Sequence, residues 1–257
     1  MSLLEVRHLC AGYGKRRILE DISFSLAPGE LVGVLGENGS GKTILLKSVC
    51  GIQPHRGECL LGGENREDLS TRQLARKISY IPQRSGISID LSALEVVLMG
   101  FNPQLRLLEY PGAAMKRRAG QALETVGLGG RGEENFQSLS QGQQQLCILA
   151  RTLVSQAEVL LLDEPESALD FGGRYRMLGQ LQNFLGQGRG ALVTLHDPQL
   201  ALNRCHRLLL LSGGKLMGEI FPGRDSVQDM EAALEKLYGG LSLLRVNGQY
   251  VLIPNAK

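Results

Sequence analysis

Residues 36–43 read Gly-Glu-Asn-Gly-Ser-Gly-Lys-Thr and directly follow the apolar run Leu31-Val32-Gly33-Val34-Leu35. This is the GxxxxGK[ST] spacing of a phosphate loop, which needs a strand before it and a helix after it. Glycines at these positions let successive backbone N–H groups turn inward around an anion with no Cβ in the way. A helix opening at Lys42 adds the positive end of its dipole. The expected phosphate-contacting set is Gly36, Glu37, Asn38, Gly39, Ser40, Gly41, Lys42 and Thr43. Within it, the Lys42 ammonium reaches the β- and γ-phosphates and the Thr43 hydroxyl binds Mg²⁺. A glycine-rich strand-to-helix turn with no ligand is the competing reading, and the flanking strand and helix disfavour it.

Short apolar runs alternate with helical patterns along the 257 residues, which predicts a mostly parallel sheet covered by helices. Core strands are expected at Ile78–Ile81, Val159–Leu162, Leu192–Leu195 and Leu208–Leu211. Residues Leu4 to Glu30 read instead as short strands and turns, a small antiparallel sheet ahead of the core. After the loop, Ile44, Leu45, Val49 and Ile52 lie at near-helical spacing, with Pro54 beyond the helix end. From about Ser88 to Leu153 helical patterns take over, including Leu94 to Met99 and Met115 to Val126, as expected of an inserted helical subdomain. The fold class is therefore α/β, a P-loop NTPase core within residues 1–225, with an N-terminal antiparallel β-subdomain and the helical insertion at about 88–153. Residues 226–257 read as an accessory helix and hairpin without chemistry of their own.

Composition removes other classes. A formal charge of +2, 5% aromatic residues and no Trp argue against a nucleic-acid surface. No apolar run approaches membrane-spanning length, and residues 1–7 lack the basic-then-apolar order of a signal peptide, so the chain is expected not to enter a membrane. Cys10, Cys50, Cys59, Cys147 and Cys205 are scattered and odd in number, which predicts buried free thiols rather than disulfides or a metal site.

Two further constellations carry chemistry. Val159-Leu160-Leu161-Leu162-Asp163-Glu164-Pro165 is an apolar strand ending in two carboxylates. Asp163 at the strand tip is placed to hold Mg²⁺ or its waters, and Glu164 to orient or deprotonate a water aimed at the γ-phosphate. The alternative is that Asp-Glu-Pro only caps the next helix. In Leu139-Ser140-Gln141-Gly142-Gln143, Ser140 is a candidate N-cap, and the first turn of the helix it opens offers a second anion site. An ordinary capped helix is the alternative there.

The phosphate loop, Gln83 after a strand, Leu-Ser-x-Gly-Gln, a strand ending in Asp-Glu, Ser167-Ala168-Leu169-Asp170, and His196 after another strand occur in this order. That order resembles the ATP-binding subunit of an ABC transporter, over roughly Leu4 to Gly218. Leu94–Gly100, Leu169-Asp170-Phe171-Gly172, His196-Asp197-Pro198 and Leu237-Tyr238-Gly239 resemble the branch that imports iron chelates, haem and cobalamin. The resemblance implies an ATP hydrolase using Mg²⁺, a homodimer docked on transmembrane permease subunits at the cytoplasmic face of the membrane, and a solute-binding protein as indirect partner. It implies that Tyr13 stacks on adenine, that Gln83 touches Mg²⁺ or the attacking water, and that His196 bonds the γ-phosphate. It also implies that Ser140, Gly142 and Gln143 meet the ATP of the other subunit. Asp170 is either a subunit contact or a helix cap. Two residues depart from the family pattern. Gln141 stands where glycine is usual, and Ile44 where a second hydroxyl often follows Thr43, a loss of about 1 kcal/mol of α-phosphate bonding.

Overall fold

The elements follow in the computed structural model, which describes residues 2–14, 16–83, 86–87, 90–106, 108–186 and 188–255. The first part of the chain forms β1 (Leu4–Tyr13), β2 (Arg16–Leu26), β3 (Leu31–Leu35), α1 (Lys42–Val49), β4 (His55–Leu61), β5 (Glu64–Asn65), α2 (Thr71–Lys77) and β6 (Ile78–Ile81). Then come α3 (Ala93–Leu98), α4 (Ala113–Thr125), α5 (Gln141–Val154), β7 (Val159–Asp163), α6 (Phe171–Leu185), β8 (Gly190–Thr194), α7 (Pro198–Arg204), β9 (Arg207–Ser212) and β10 (Lys215–Ile220). The chain closes with α8 (Val227–Tyr238), β11 (Leu241–Val246) and β12 (Gln249–Pro254).

The central sheet has the order β10-β9-β3-β8-β7-β6, and only β10 runs antiparallel to its neighbour. Its inner strands are apolar along most of their length because both faces are covered. One face turns Leu31, Leu35, Leu160, Leu162, Ala191 and Val193 toward the helices that follow. The other turns Val32, Val34, Val159, Leu161 and Leu192 toward α1 and the N-terminal sheet, whose order is β2-β1-β4-β5. Parallel strands deliver their following loops to one edge. At that edge lie Gly36 after β3, Gln83 after β6, Asp163 and Glu164 at the end of β7, and His196 after β8.

The first 30 residues form two long strands rather than several short ones. Register shifts between Val6 and Leu9 and between Leu9 and Ala11 break the polar–apolar alternation, and His8 (φ 52°) and Asp21 (φ 56°) take left-handed backbone there. The pattern therefore reads as interrupted although the pairing continues. The first helix stops at Val49, one turn short of Ile52, because Gly51 turns at φ 82° and leaves Ile52 61% exposed.

Between β6 and β7, helices α3, α4 and α5 pack through Val96, Val97, Ala119, Leu123 and Ile148. Ser92 with Glu95 and Ser140 with Gln143 form reciprocal capping boxes at two of their starts. The expected starting boundary of this segment, Ser88, lies outside the described residues. In the C-terminal part, β12 is pinned to α7 by Asn203, which donates to the Tyr250 carbonyl at 2.8 Å and accepts from its N–H at 2.9 Å. Cys59, Cys147 and Cys205 are buried free thiols as expected, while Cys10 and Cys50 are only half-buried.

Candidate functional site

The phosphate loop closes on itself through its lysine. Lys42 is buried, and its Nζ donates to the carbonyls of Gly36 at 2.8 Å and Glu37 at 3.2 Å. Burial lowers its pKa from the ordinary value, and the nearby carboxylates of Glu164, Asp163 and Glu166 oppose that shift. Gly41 at φ 106° carries the chain into α1, and a Cβ there would meet Leu19 of β2 at 2.6 Å. The N-terminal sheet thus lies against the loop. Tyr13, the expected adenine platform, stands at the tip of the β1–β2 hairpin, 56% exposed, in a cleft shared with Arg16, Gln53 and His55.

Asp163 is the hub. Its Oδ1 accepts from the Thr43 hydroxyl at 3.1 Å and from the Thr194 hydroxyl at 2.8 Å, and the Tyr80 hydroxyl reaches Oδ2 at 3.4 Å. Thr194 in turn accepts the Glu164 backbone N–H at 2.8 Å. That bond holds Glu164 in a left-handed backbone, φ 48°, a conformation that costs a non-glycine residue about 1–3 kcal/mol. The turn brings the carboxylate to the residues that follow β8 and β6. Glu164 Oε1 meets His196 Nε2 at 2.7 Å, and its Oε2 accepts from the Gln83 amide. Lys42, Thr43, Gln83, Asp163, Glu164 and His196 are therefore gathered at one strand edge.

Ser140, Gly142 and Gln143 are not joined to that group by any hydrogen bond or ion pair among the described residues. Ser140 caps α5, its hydroxyl accepting the Gln143 N–H at 3.3 Å while the Gln143 side chain accepts the Ser140 N–H at 3.0 Å. Gly142 is packed tightly, since a Cβ would lie 2.9 Å from the Ala168 carbonyl. Gln141 is exposed and lines a cleft of about 470 Å³ with Gln83, Gln144, Gln145, Ser167 and Ala168. Ile44 packs as a half-buried residue on the core beside β3. Asp170 takes capping geometry at α6, accepting the Gly173 N–H at 2.6 Å.

Three site residues escaped the sequence reading. Thr194 had one visible signal, a hydroxyl inside an apolar run two residues before His196. Tyr80 had none beyond its place in β6. Glu166 is buried, its Oε1 accepts the His196 N–H at 3.1 Å, and burial raises its pKa from the ordinary carboxyl value. Its Oε2 has no partner, and the sequence offers no cue for that.

These residues fit a magnesium nucleotide. Ser40 Oγ is buried in the loop without a partner, and a Cβ on Gly36 would stand 2.6 Å from it, inside the cradle. Thr43 and Asp163 present the hard oxygen donors that Mg²⁺ prefers. No group of three or more His, Cys, Asp or Glu suited to a metal occurs among the described residues, and Mg²⁺ typically uses one or two carboxylates with phosphate oxygens.

Comparison with known proteins supports the nucleotide part of that fit. The sequence profile of the ABC transporter family matches residues 19–167, more than half of the chain. The hemin import ATP-binding protein HmuV of Bordetella pertussis is 37% identical over 223 residues, 83% of this chain and 84% of that one. The manganese transport system ATP-binding protein MntB of Bacillus subtilis is 34% identical over 243 residues, 93% of this chain and 94% of that one. In structure, the chain resembles an ABC transporter described as of metal-chelate type, in an inward-facing conformation, with TM-score 0.82 and 25% identity over 100% of this chain and 99% of that one.

Proposed function

The chain belongs to the ABC transporter family as an ATP-hydrolysing subunit, and from that premise we propose that it powers import of a metal chelate of the haem or iron-siderophore class. The observation that carries the hydrolytic part is the junction of phosphate loop and carboxylates: Thr43 3.1 Å from Asp163, and Glu164 2.7 Å from His196. The substrate class rests on likeness to the hemin importer subunit and to the transporter of metal-chelate type.

In this reading Lys42 leaves the loop carbonyls for the β- and γ-phosphates, while the loop N–H groups and Ser40 hold the remaining phosphate oxygens. Mg²⁺, when bound with nucleotide, would be held by Thr43 and Asp163, with the Gln83 carbonyl as a further donor, and neutralises charge on the β- and γ-phosphates. Glu164 takes the proton of the attacking water, and its left-handed backbone presents the carboxylate for that purpose. His196 fixes Glu164 and bonds the γ-phosphate, and Tyr13 stacks on adenine. Ser140, Gly142 and Gln143 contribute to the ATP of a second copy, so that nucleotide closes a homodimer. No described helix is long and apolar enough to cross a membrane. We assign attachment to the cytoplasmic face through permease subunits instead, with a groove of about 450 Å³ bordered by Leu94, Leu98 and Met99 as the docking surface.

A second reading is import of manganese, favoured by MntB, which aligns with more of the chain than HmuV does. The two separate in one experiment. The chain is co-purified with its permease and reconstituted in liposomes, and ATP hydrolysis is measured with binding protein loaded with hemin, ferric siderophore or Mn²⁺. Stimulation by a chelate, abolished by Lys42→Ala, is the expected result. Stimulation by Mn²⁺ alone would transfer the assignment.

A further inference from the structure

Glu166 places a carboxyl group in the interior, 2% exposed and two residues beyond Glu164, and the hydrolysis described above makes no use of it. A buried carboxyl is costly, and an apolar side chain would fill the space without that cost, so its presence calls for a reason. Its position is fixed by the turn that follows β7, where the Ser167 N–H donates to the Glu164 carbonyl at 3.2 Å and the Leu169 N–H to the Glu166 carbonyl at 3.0 Å. From this turn Oε1 accepts the His196 N–H at 3.1 Å, while Oε2 is buried without a partner. Burial raises the pKa of the group and favours the neutral acid, which adds no second negative charge beside Glu164.

The His196 side chain is 44% exposed, against 10% for Glu164, so packing alone does not set the direction of the ring. Its main chain does. On one side the Leu195 N–H is held by the Val34 carbonyl at 3.2 Å, and on the other Asp197 caps α7 by accepting the Leu200 N–H at 3.0 Å. Between these two anchors the His196 N–H goes to Glu166. The segments after β7 and β8 are thus joined three times. The Glu164 N–H donates to the Thr194 hydroxyl at 2.8 Å, Glu164 Oε1 meets His196 Nε2 at 2.7 Å, and Glu166 Oε1 accepts the His196 N–H at 3.1 Å. The first two bonds fix Glu164, and the third fixes the histidine. We propose that Glu166 is a positioning residue for hydrolysis: by holding the His196 main chain it sets the imidazole against Glu164 and, in the loaded site, against the γ-phosphate. This rests on the reading of Glu164 and His196 above and adds a residue that needs no contact with nucleotide.

The test compares Glu166→Met, which keeps the length of the side chain and removes the acceptor, with Glu166→Gln, which keeps an acceptor without charge. Both are made in the full chain, and Glu166→Leu, shorter and equally free of acceptors, replaces Glu166→Met if that variant does not fold. Glu166→Met should lower kcat about ten- to a hundred-fold, because a misplaced ring fails in the transition state, while KM for ATP changes less than about three-fold, because the phosphate loop is untouched. Glu166→Gln should restore kcat to within about two-fold of wild type. A second readout needs no nucleotide. The chain has four histidines, so the ring signal of His196 in a proton NMR spectrum is identified by its loss in His196→Ala. That signal should move in Glu166→Met and stay in place in Glu166→Gln. Wild-type kcat in Glu166→Met, equal losses in the Met and Gln variants, or an unmoved ring signal in Glu166→Met would overturn the proposal. Failure of the underlying reading would look different, as undiminished kcat in His196→Ala.

Discussion

Thr194→Val removes one oxygen and keeps the side-chain volume, and it strikes both Asp163 and Glu164. The Thr194 hydroxyl donates to Asp163 Oδ1 and accepts from the Glu164 N–H, each at 2.8 Å, and the residue is fully buried. Asp163 keeps Thr43 at 3.1 Å and Tyr80 at 3.4 Å, so its loss is partial. The Glu164 N–H keeps no partner, and an unsatisfied buried donor costs about 1–3 kcal/mol. With the weakened Asp163 bond the total is about 2–4 kcal/mol. In a chain of this size that corresponds to a drop in melting temperature of about 4–16 °C. The same bond holds Glu164 at φ 48°, and once it is cut the strained turn can relax and carry the carboxylate out of line. Hydrolysis should fall about ten- to a hundred-fold, while ATP affinity, which depends on the untouched loop, changes less than about three-fold. Calorimetry, ATP titration and a phosphate-release assay read the three quantities, and Thr194→Ser should recover most of each. Full turnover in Thr194→Val with an unshifted melting temperature would refute the view that this hydroxyl sets the carboxylate geometry.

Glu164→Gln should bind ATP, fail to hydrolyse it, and shift from monomer to dimer with ATP but not ADP in light scattering. Adding Ser140→Arg should abolish that dimer, and persistence of the dimer would exclude a site shared between subunits. Glu166 is held above its ordinary pKa by burial, so the folded protein retains a proton that the unfolded chain gives up as pH rises past the ordinary value. Wild-type stability is therefore lost progressively as pH rises above about 4.5 until the folded pKa is passed, and the melting-temperature advantage of Glu166→Gln should grow as pH is raised through that range. A constant difference across that range would show that Glu166 does not titrate this way. Met99→Asp, on the partly exposed rim of the groove beside α3, should leave basal hydrolysis intact and reduce solute uptake in liposomes about ten-fold or more, as expected of an interface anchor. Normal uptake would remove that groove as the permease contact.

The sequence alone determined the parts of this protein whose physics is local. Glycine spacing in residues 36–43 specifies a loop that only glycine can turn, and the apolar runs ending at Asp163 and before His196 specify buried strands with polar tips. Ser140 ahead of a helical pattern announces an N-cap, and the structure builds one, closed into a capping box by Gln143. Where local patterning was interrupted, at the bulges of β1 and at Gly51, the reading lost the length of two strands and misjudged the end of a helix. What only the tertiary structure decided is which buried polar groups satisfy one another. Asp163 and Thr194 become partners because β7 and β8 pair in parallel with those residues opposite each other across a crossover through α6. The partnerless oxygens of Glu166, Ser40 and Tyr238 are likewise invisible in sequence. A hydrogen bond depends on a few tenths of an ångström between segments distant along the chain, and no periodicity within either segment encodes that distance.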